Sequence, residues 1–132
     1  MATSFVNAFI NSLPDKRSVR ALAQIFDRVT PAIVTATAAA GAVTLNSLAG
    51  KITTEALITA GLAAYTLTLT NNTIVAGDII FVKIAQGTST TGTPILGRAV
   101  EAAGSAVIVI NNVHATVALN GTLVVSFFVE KS

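Results

Sequence analysis

Hydrophobic and polar residues alternate with a period of two along the chain from Ile33 onward, and many of the hydrophobic residues are β-branched. This pattern is typical of β-strands with one buried and one solvent-facing side. It is clearest in residues 65–70, where Tyr65, Leu67 and Leu69 fall on one side and threonines on the other. Eight strands are predicted, at residues 33–38, 42–46, 51–54, 63–70, 78–85, 94–101, 106–111 and 119–130. Because Gly-, Asn- and Asp-rich turn signals separate short strands at regular spacing, the pattern predicts a mainly β fold, an antiparallel, jelly-roll-like β-sandwich.

The first 30 residues have a helical period instead. Apolar residues in 4–13 fall at offsets of 0, 1, 4, 5 and 8 from Phe5, on one side of a helix that Pro14 ends. Asp15 is a suitable N-cap for a second helix, which runs to about residue 29 with its own apolar stripe and ends before Pro31. We therefore predict two parts, an N-terminal helical arm at 1–30 and a β-sandwich domain at 31–132.

Two predicted strands are apolar on both sides, at residues 107–110 and 123–129. In an isolated two-layer sandwich one side of each sheet faces water, so these strands predict that a second side is covered. Either the N-terminal helices or another subunit is expected to cover it. The second alternative predicts an oligomer.

Composition favours a protein that works inside an assembly. Only 11% of residues are charged, against about 25% in ordinary soluble domains, and 18 threonines supply much of the polar surface. The net charge of +2 comes from residues 1–30, which hold four basic and two acidic residues, since four basic and four acidic residues balance in 31–132. No cysteine is present, which excludes disulfides and cysteine-ligated metals. No signal sequence is predicted, because residues 1–13 contain no basic residue and no small-residue cleavage site follows an apolar run. No membrane helix is predicted, because the long uncharged stretches are interrupted by Thr, Asn and Gly.

The residue pattern predicts no enzyme, cofactor or metal site. His114 is the only histidine and is expected to be a hydrogen-bonding turn residue, since no nucleophile motif accompanies it. Residues 87–93 lack the lysine of a phosphate-binding loop, so they are interpreted as a flexible hairpin tip. The basic run at 15–20 has no interleaved aromatic residues, so no nucleic-acid partner is predicted. It is interpreted as the solvated side of a helix or as a docking surface for an acidic partner.

Five segments, at residues 41–57, 64–71, 87–94, 112–115 and 118–122, carry a resemblance that extends over about residues 33–130. Together they are similar to small virion proteins of tailed bacteriophages of the head decoration, or cement, type. The resemblance implies a homotrimer on the capsid surface of the virion, made in the host cytoplasm, that bridges subunits of the major capsid protein and has no catalytic residues. A tail or fibre component with a receptor-binding tip is the alternative.

The candidate contact residues for such an assembly lie in the helical arm, on the apolar sides of its two predicted helices and at their polar rim. The apolar residues are expected to anchor the oligomer or the capsid contact, and the arginines to surround it. The candidate interface residues are Phe5, Phe9, Ile10, Arg17, Arg20, Leu22, Phe26 and Arg28.

Overall fold

A computed structural model describes residues 33–132, which form eight β-strands and no helix. The strands are β1 (Ile33–Thr37), β2 (Ala42–Thr44), β3 (Ala49–Thr53), β4 (Ala64–Thr70), β5 (Ile79–Gln86), β6 (Pro94–Ala102), β7 (Ser105–Asn112) and β8 (Leu123–Glu130).

The strands make two four-stranded mixed sheets in a sandwich-like arrangement. Sheet A has the order β1-β3-β8-β5, and sheet B has the order β2-β4-β7-β6. From β1 to β6 the chain passes from one sheet to the other at every connection, and only β6 and β7 are sequence neighbours within one sheet. A strand therefore often pairs with the strand two places along, which makes β1–β3 and β2–β4 parallel, while the other four pairs are antiparallel.

One hydrophobic core lies between the inner sides of the sheets. Alternate residues of β8 and β7 supply its centre, among them Val125 from sheet A and Ile108 from sheet B, both fully buried. Leu67 and Leu69 of β4 join the same core, whereas Thr66, Thr68 and Thr70 are exposed. The predicted alternation in this strand is thus confirmed.

A buried carboxylate fastens the last residues to the loop before β5. Asp78 accepts hydrogen bonds from the backbone amides of Val75 and Ser132, at 3.0 Å each, and from the Lys131 ammonium group. These donors, the lysine above all, hold the pKa of Asp78 well below its usual range.

The structure confirms all eight predicted strands within a few residues, apart from the start of the last one. Strand β8 begins at Leu123, whereas the prediction began at 119. Residues 119–122 form a loop because Leu119 turns into the core, and its amide binds the carbonyl of Thr59. The prediction of an antiparallel sandwich is corrected to two mixed sheets, since a chain that changes sheet at each connection brings β1 beside β3 in parallel.

The prediction of a hairpin tip at 87–93 is wrong. This loop joins β5 of sheet A to β6 of sheet B, so its flanking strands are not paired with each other. The Asn120 side-chain oxygen accepts hydrogen bonds from the amides of Thr90 (2.7 Å) and Thr91 (3.0 Å), which fastens the loop to residues 118–122. The helical arm at 1–30 and the boundary at 30–31 lie outside the described residues.

Candidate interaction surfaces

The outer side of sheet A presents aromatic and charged side chains to solvent. Val82 and Ile84 of β5 point toward the core, as do Val125 and Phe127 of β8, so their sequence neighbours point outward. We call this outward side the lysine–phenylalanine face. Its side chains are Lys51, Ile79, Phe81, Lys83, Ser126, Phe128 and Glu130.

Two phenylalanines form the apolar part of the lysine–phenylalanine face. Phe81 and Phe128 are direct cross-strand partners, and their ring centroids lie 6.3 Å apart at 35°. Even in contact with each other they remain 53% and 42% exposed, and Ile79 beside them is 53% exposed. A shallow cavity of about 260 Å³ lies along the pair and extends to Lys83 and Ser126. An exposed aromatic pair in a cleft on the long strands of a sheet is a feature of protein contact sites.

The charges of the lysine–phenylalanine face follow the strand register. Lys51 and Lys83 both pair with Ser126, one from each side, so two ammonium groups flank one small side chain. Glu130 lies on the same side of β8, two outward positions further on, opposite Ile79. Within residues 33–132, neither lysine ammonium group and neither side-chain oxygen of Glu130 makes a hydrogen bond or an ion pair. None of the three charges is therefore neutralised within this part of the chain.

The outer side of sheet B carries threonines on β4 and an arginine on the edge strand β6. Exposed threonines of β4 lie beside Val107 and Val109 of β7, which are only half-exposed, and Arg98 and Val100 of β6 complete it. Among the described residues it has no aromatic side chain, but Val100 and Ile95 on the edge strand β6 are 49% and 45% exposed. The predicted two-sided apolar character of residues 107–110 is confirmed, because Val107 and Val109 face outward while Ile108 and Ile110 are buried in the core.

Three loops meet at one end of the sandwich around the buried side chain of Asn112. Its amide nitrogen donates to the carbonyls of Thr59 (3.1 Å), Ala60 (3.2 Å) and Val117 (2.8 Å). Its oxygen accepts from the amides of Thr93 (2.9 Å) and His114 (3.2 Å). One residue at the end of β7 therefore joins the loops 54–63, 87–93 and 113–122.

Two of the most exposed hydrophobic residues lie on the first of these loops. Ile58 is 88% and Leu62 74% exposed. Leu62 has a φ of 61°, a left-handed conformation that is disfavoured for a branched, bulky residue. Its amide lies within hydrogen-bonding distance of the carbonyls of Asn112 and His114, which holds it there. Strained, exposed apolar residues on a fixed loop are often part of a binding surface.

His114, Glu55 and Tyr65 make hydrogen bonds with other groups of the fold. The Nδ1 atom of His114 accepts from the amides of Thr116 (3.1 Å) and Val117 (2.9 Å), which confirms its expected role in a turn. Glu55 accepts from the Gly41 amide and from the Tyr65 hydroxyl, both at 2.8 Å. Burial, together with the hydrogen bond to Glu55 and its charge, raises the pKa of Tyr65 well above its usual range. A shallow cavity of about 300 Å³ beside Glu55 and Tyr65 is lined mainly by loop residues 56–59.

Among residues 33–132, no three His, Cys, Asp or Glu side chains come together as a metal-binding group. The same part of the chain has no helix of the length and apolarity that crossing a bilayer requires.

The eight predicted interface residues, from Phe5 to Arg28, lie outside the described residues. Sequence reasoning predicted a second apolar side for residues 123–129, the side that carries Phe128, but it missed the members of the lysine–phenylalanine face on β3 and β5. In an alternating strand, adjacent Phe127 and Phe128 must point to opposite sides, so one of them has to leave the core. The positions of Lys51 and Lys83 on either side of Ser126 depend on the pairing of distant strands, which the sequence pattern does not specify.

No protein-family model, curated protein or solved structure matches the chain in the comparisons.

Proposed function

We propose that this protein is a structural component of a tailed-phage virion, a head decoration protein that stabilises the capsid by bridging its subunits as an oligomer. The observation that carries the assembly part of this proposal is the solvent-exposed Phe81–Phe128 pair on the outer side of sheet A. The capsid part rests on the resemblance described for residues 33–130, which also implies the trimer.

The exposed hydrophobic area supports assembly because the chain has few charges to oppose it. With 11% charged residues, electrostatic repulsion between copies is weak, and contact between apolar surfaces meets little opposition. Each small contact is weak by itself. Several contacts made at once by one oligomer act at high effective concentration, which is how a small protein holds a large lattice.

Counting copies per particle tests the proposal. Heads purified from the phage that encodes the chain should carry it in numbers comparable with the major capsid protein, measured by quantitative mass spectrometry or gel densitometry. Heads that lack it should open at a lower temperature, and added protein should restore the wild-type value. A handful of copies per particle, or unchanged head stability, contradicts the proposal.

The helical arm is expected to contribute to capsid binding. Replacing Phe5, Phe9 and Ile10 by serine in the full-length chain should reduce co-sedimentation with heads, because these residues are the expected apolar anchors. The matched control is Arg98→Ser on the outer side of sheet B, which should bind like the wild type. If the triple variant binds normally, the arm is not the anchor.

A second candidate is a tail or fibre component whose tip binds a receptor. The loop end supports it, since Ile58 and Leu62 project from loops that Asn112 holds together. This candidate predicts few copies per virion, located on the tail. Replacing Ile58 and Leu62 by serine should then reduce adsorption to host cells while leaving head stability unchanged.

A further inference from the structure

We propose that the lysine–phenylalanine face binds the same face of a second copy through a twofold axis that passes over Phe128. This inference deepens the self-assembly part of the proposed function and rests on that part alone. It does not depend on the capsid assignment.

The strand register gives the spacing of the side chains that meet. Outward-facing residues on β8 are about 7 Å apart along the strand, and neighbouring strands are about 4.8 Å apart. The central row contains Phe128 and Phe81. The row on one side contains Lys51, Ser126 and Lys83, and the row on the other side contains Glu130 and Ile79.

We place the twofold axis between the two copies, perpendicular to the strands and above the central row. It then sets each outer row of one copy over the opposite outer row of the other copy. Each phenylalanine pair then packs on its equivalent in the second copy, at the spacing of about 10 Å that stacked sheets adopt. Glu130 of each copy arrives over Ser126 of the other, between Lys51 and Lys83. Ile79 arrives over the aliphatic part of Lys83.

Charge complementarity identifies a second copy as the occupant. Lys51 and Lys83 have no acidic partner within residues 33–132, and Glu130 has no basic partner there. Glu130 lies about 14 Å from the lysine row of its own sheet by the strand rise, too far for an ion pair. The same three residues satisfy each other across the twofold axis, and Ser126 leaves room for the carboxylate. If the two copies instead stacked with their lysine rows over each other, Lys51 and Lys83 of one copy would lie against the lysines of the other.

The area of the lysine–phenylalanine face sets the strength of the contact. Its side chains lie on three strands about 4.8 Å apart and in three rows about 7 Å apart, which cover roughly 300 Å² per copy, well under half of what a standard stable interface buries on each partner. The contact is therefore weak in dilute solution. A twofold contact also cannot close a trimer, so it joins two chains that belong to different trimers, or forms a dimer if no trimer exists.

A charge exchange in the purified full-length protein tests this geometry. One variant carries Glu130→Lys, and the other carries Lys51→Glu together with Lys83→Glu. Each variant alone should associate about tenfold or more weakly than the wild type, because each now opposes like charges at two symmetric sites. Mixed in equal amounts, they should form mixed pairs at least as well as the wild type does, since every facing pair is again of opposite charge.

The measurement is sedimentation equilibrium from about 10 µM to about 1 mM, the range in which a contact of this size associates. Native mass spectrometry of the mixture with one variant isotope-labelled identifies the mixed pairs. Arg98→Glu, a charge reversal on the other sheet, is the control and should associate like the wild type. Circular dichroism confirms that each variant is folded.

With rising concentration, the average mass of the wild type should approach twice that of its smallest species. This should happen at a lower protein concentration in low salt than in high salt. A wild type that never doubles up to 1 mM overturns the proposal, as does a mixture that associates no better than its components. Binding to heads is scored separately. Self-association without head binding refutes the capsid assignment and leaves this contact standing, whereas head binding with no effect of the charge exchange refutes only the contact.

Discussion

Replacing Asn112 by alanine should destabilise the protein strongly, because one side chain satisfies backbone groups from three loops. The side chain is 1% exposed and makes five hydrogen bonds. The carbonyls of Thr59 and Ala60 also accept hydrogen bonds from backbone amides, so they keep a partner in the variant. The amides of Thr93 and His114 and the carbonyl of Val117 have no other hydrogen-bond partner among residues 33–132 and lose theirs.

Three lost partners set the magnitude. A buried polar group without a partner costs about 1–3 kcal/mol, and water reaches these groups in part because the residues that carry them are not fully buried. Counting about 1 kcal/mol for each group gives a loss of about 3 kcal/mol in the free energy of unfolding. In a domain of about 100 residues, such a loss lowers the melting temperature by roughly 10–20 °C.

Urea denaturation of the full-length chain, followed by far-ultraviolet circular dichroism, measures the change. Asn111→Ala is the matched control. Asn111 precedes Asn112 on the same strand and points to the outer side of sheet B, and no hydrogen bond of its side chain is present among residues 33–132. It should change the free energy of unfolding by less than about 0.5 kcal/mol. If the two variants are equally stable, the loops do not depend on Asn112, and the reasoning is refuted.

Three further predictions concern a carboxylate, a tyrosine and a strained loop residue. The pKa of Asp78 is lower in the folded chain than its ordinary value of 3.8, so its ion pair with Lys131 stabilises the fold above about pH 4, and this contribution is lost as the pH falls further. The urea midpoint should therefore fall more steeply with decreasing pH in the wild type than in Asp78→Asn. Equal slopes in the two proteins contradict this prediction. Glu55→Gln should lower the pKa of Tyr65 toward its ordinary value without reaching it, because burial is the larger cause and remains. Tyrosinate absorbance reports this directly, as the chain has one tyrosine and no tryptophan, and an unchanged titration speaks against the Glu55 contact. The free energy of unfolding, measured with urea, should be about 1 kcal/mol higher for Leu62→Gly than for Leu62→Ala, because both lose the side chain but only glycine adopts a φ of 61° without strain. The reverse order would show that no strain is stored at this position.

The strand positions were predictable because each strand alternates independently of its partners. Residues 65–70 are an example: a period of two is visible in the sequence, and the burial of Leu67 and Leu69 follows from it. Residues 119–122 are the exception. Leu119 is apolar and in phase with β8, so the pattern extends the strand, but its burial comes from a loop that packs on Thr59, a contact across 60 positions that no local pattern encodes.

The pairing of the strands was not predictable, and the candidate surface depends on it. Turn signals mark where a strand ends, but they do not tell whether the next strand joins the same sheet or the opposite one. Here β5 and β6 lie in different sheets although a Gly- and Thr-rich loop joins them, which mimics a hairpin. Lys51 and Lys83, far apart in sequence, become neighbours of Ser126 only because β8 pairs with both β3 and β5.

The distribution of the few charges gives a physical reason why such a chain would assemble in a defined way. Residues 33–132 contain eight charged side chains. Asp78, Lys131 and Glu55 are engaged in internal hydrogen bonds, whereas three others, Lys51, Lys83 and Glu130, lie on one side of sheet A. Threonine and alanine surfaces repel each other little, so apolar contact alone would allow many orientations. Two lysines and one glutamate around two phenylalanines select among these orientations, because the twofold alignment places each glutamate between two lysines, whereas superposing the lysine rows opposes like charges.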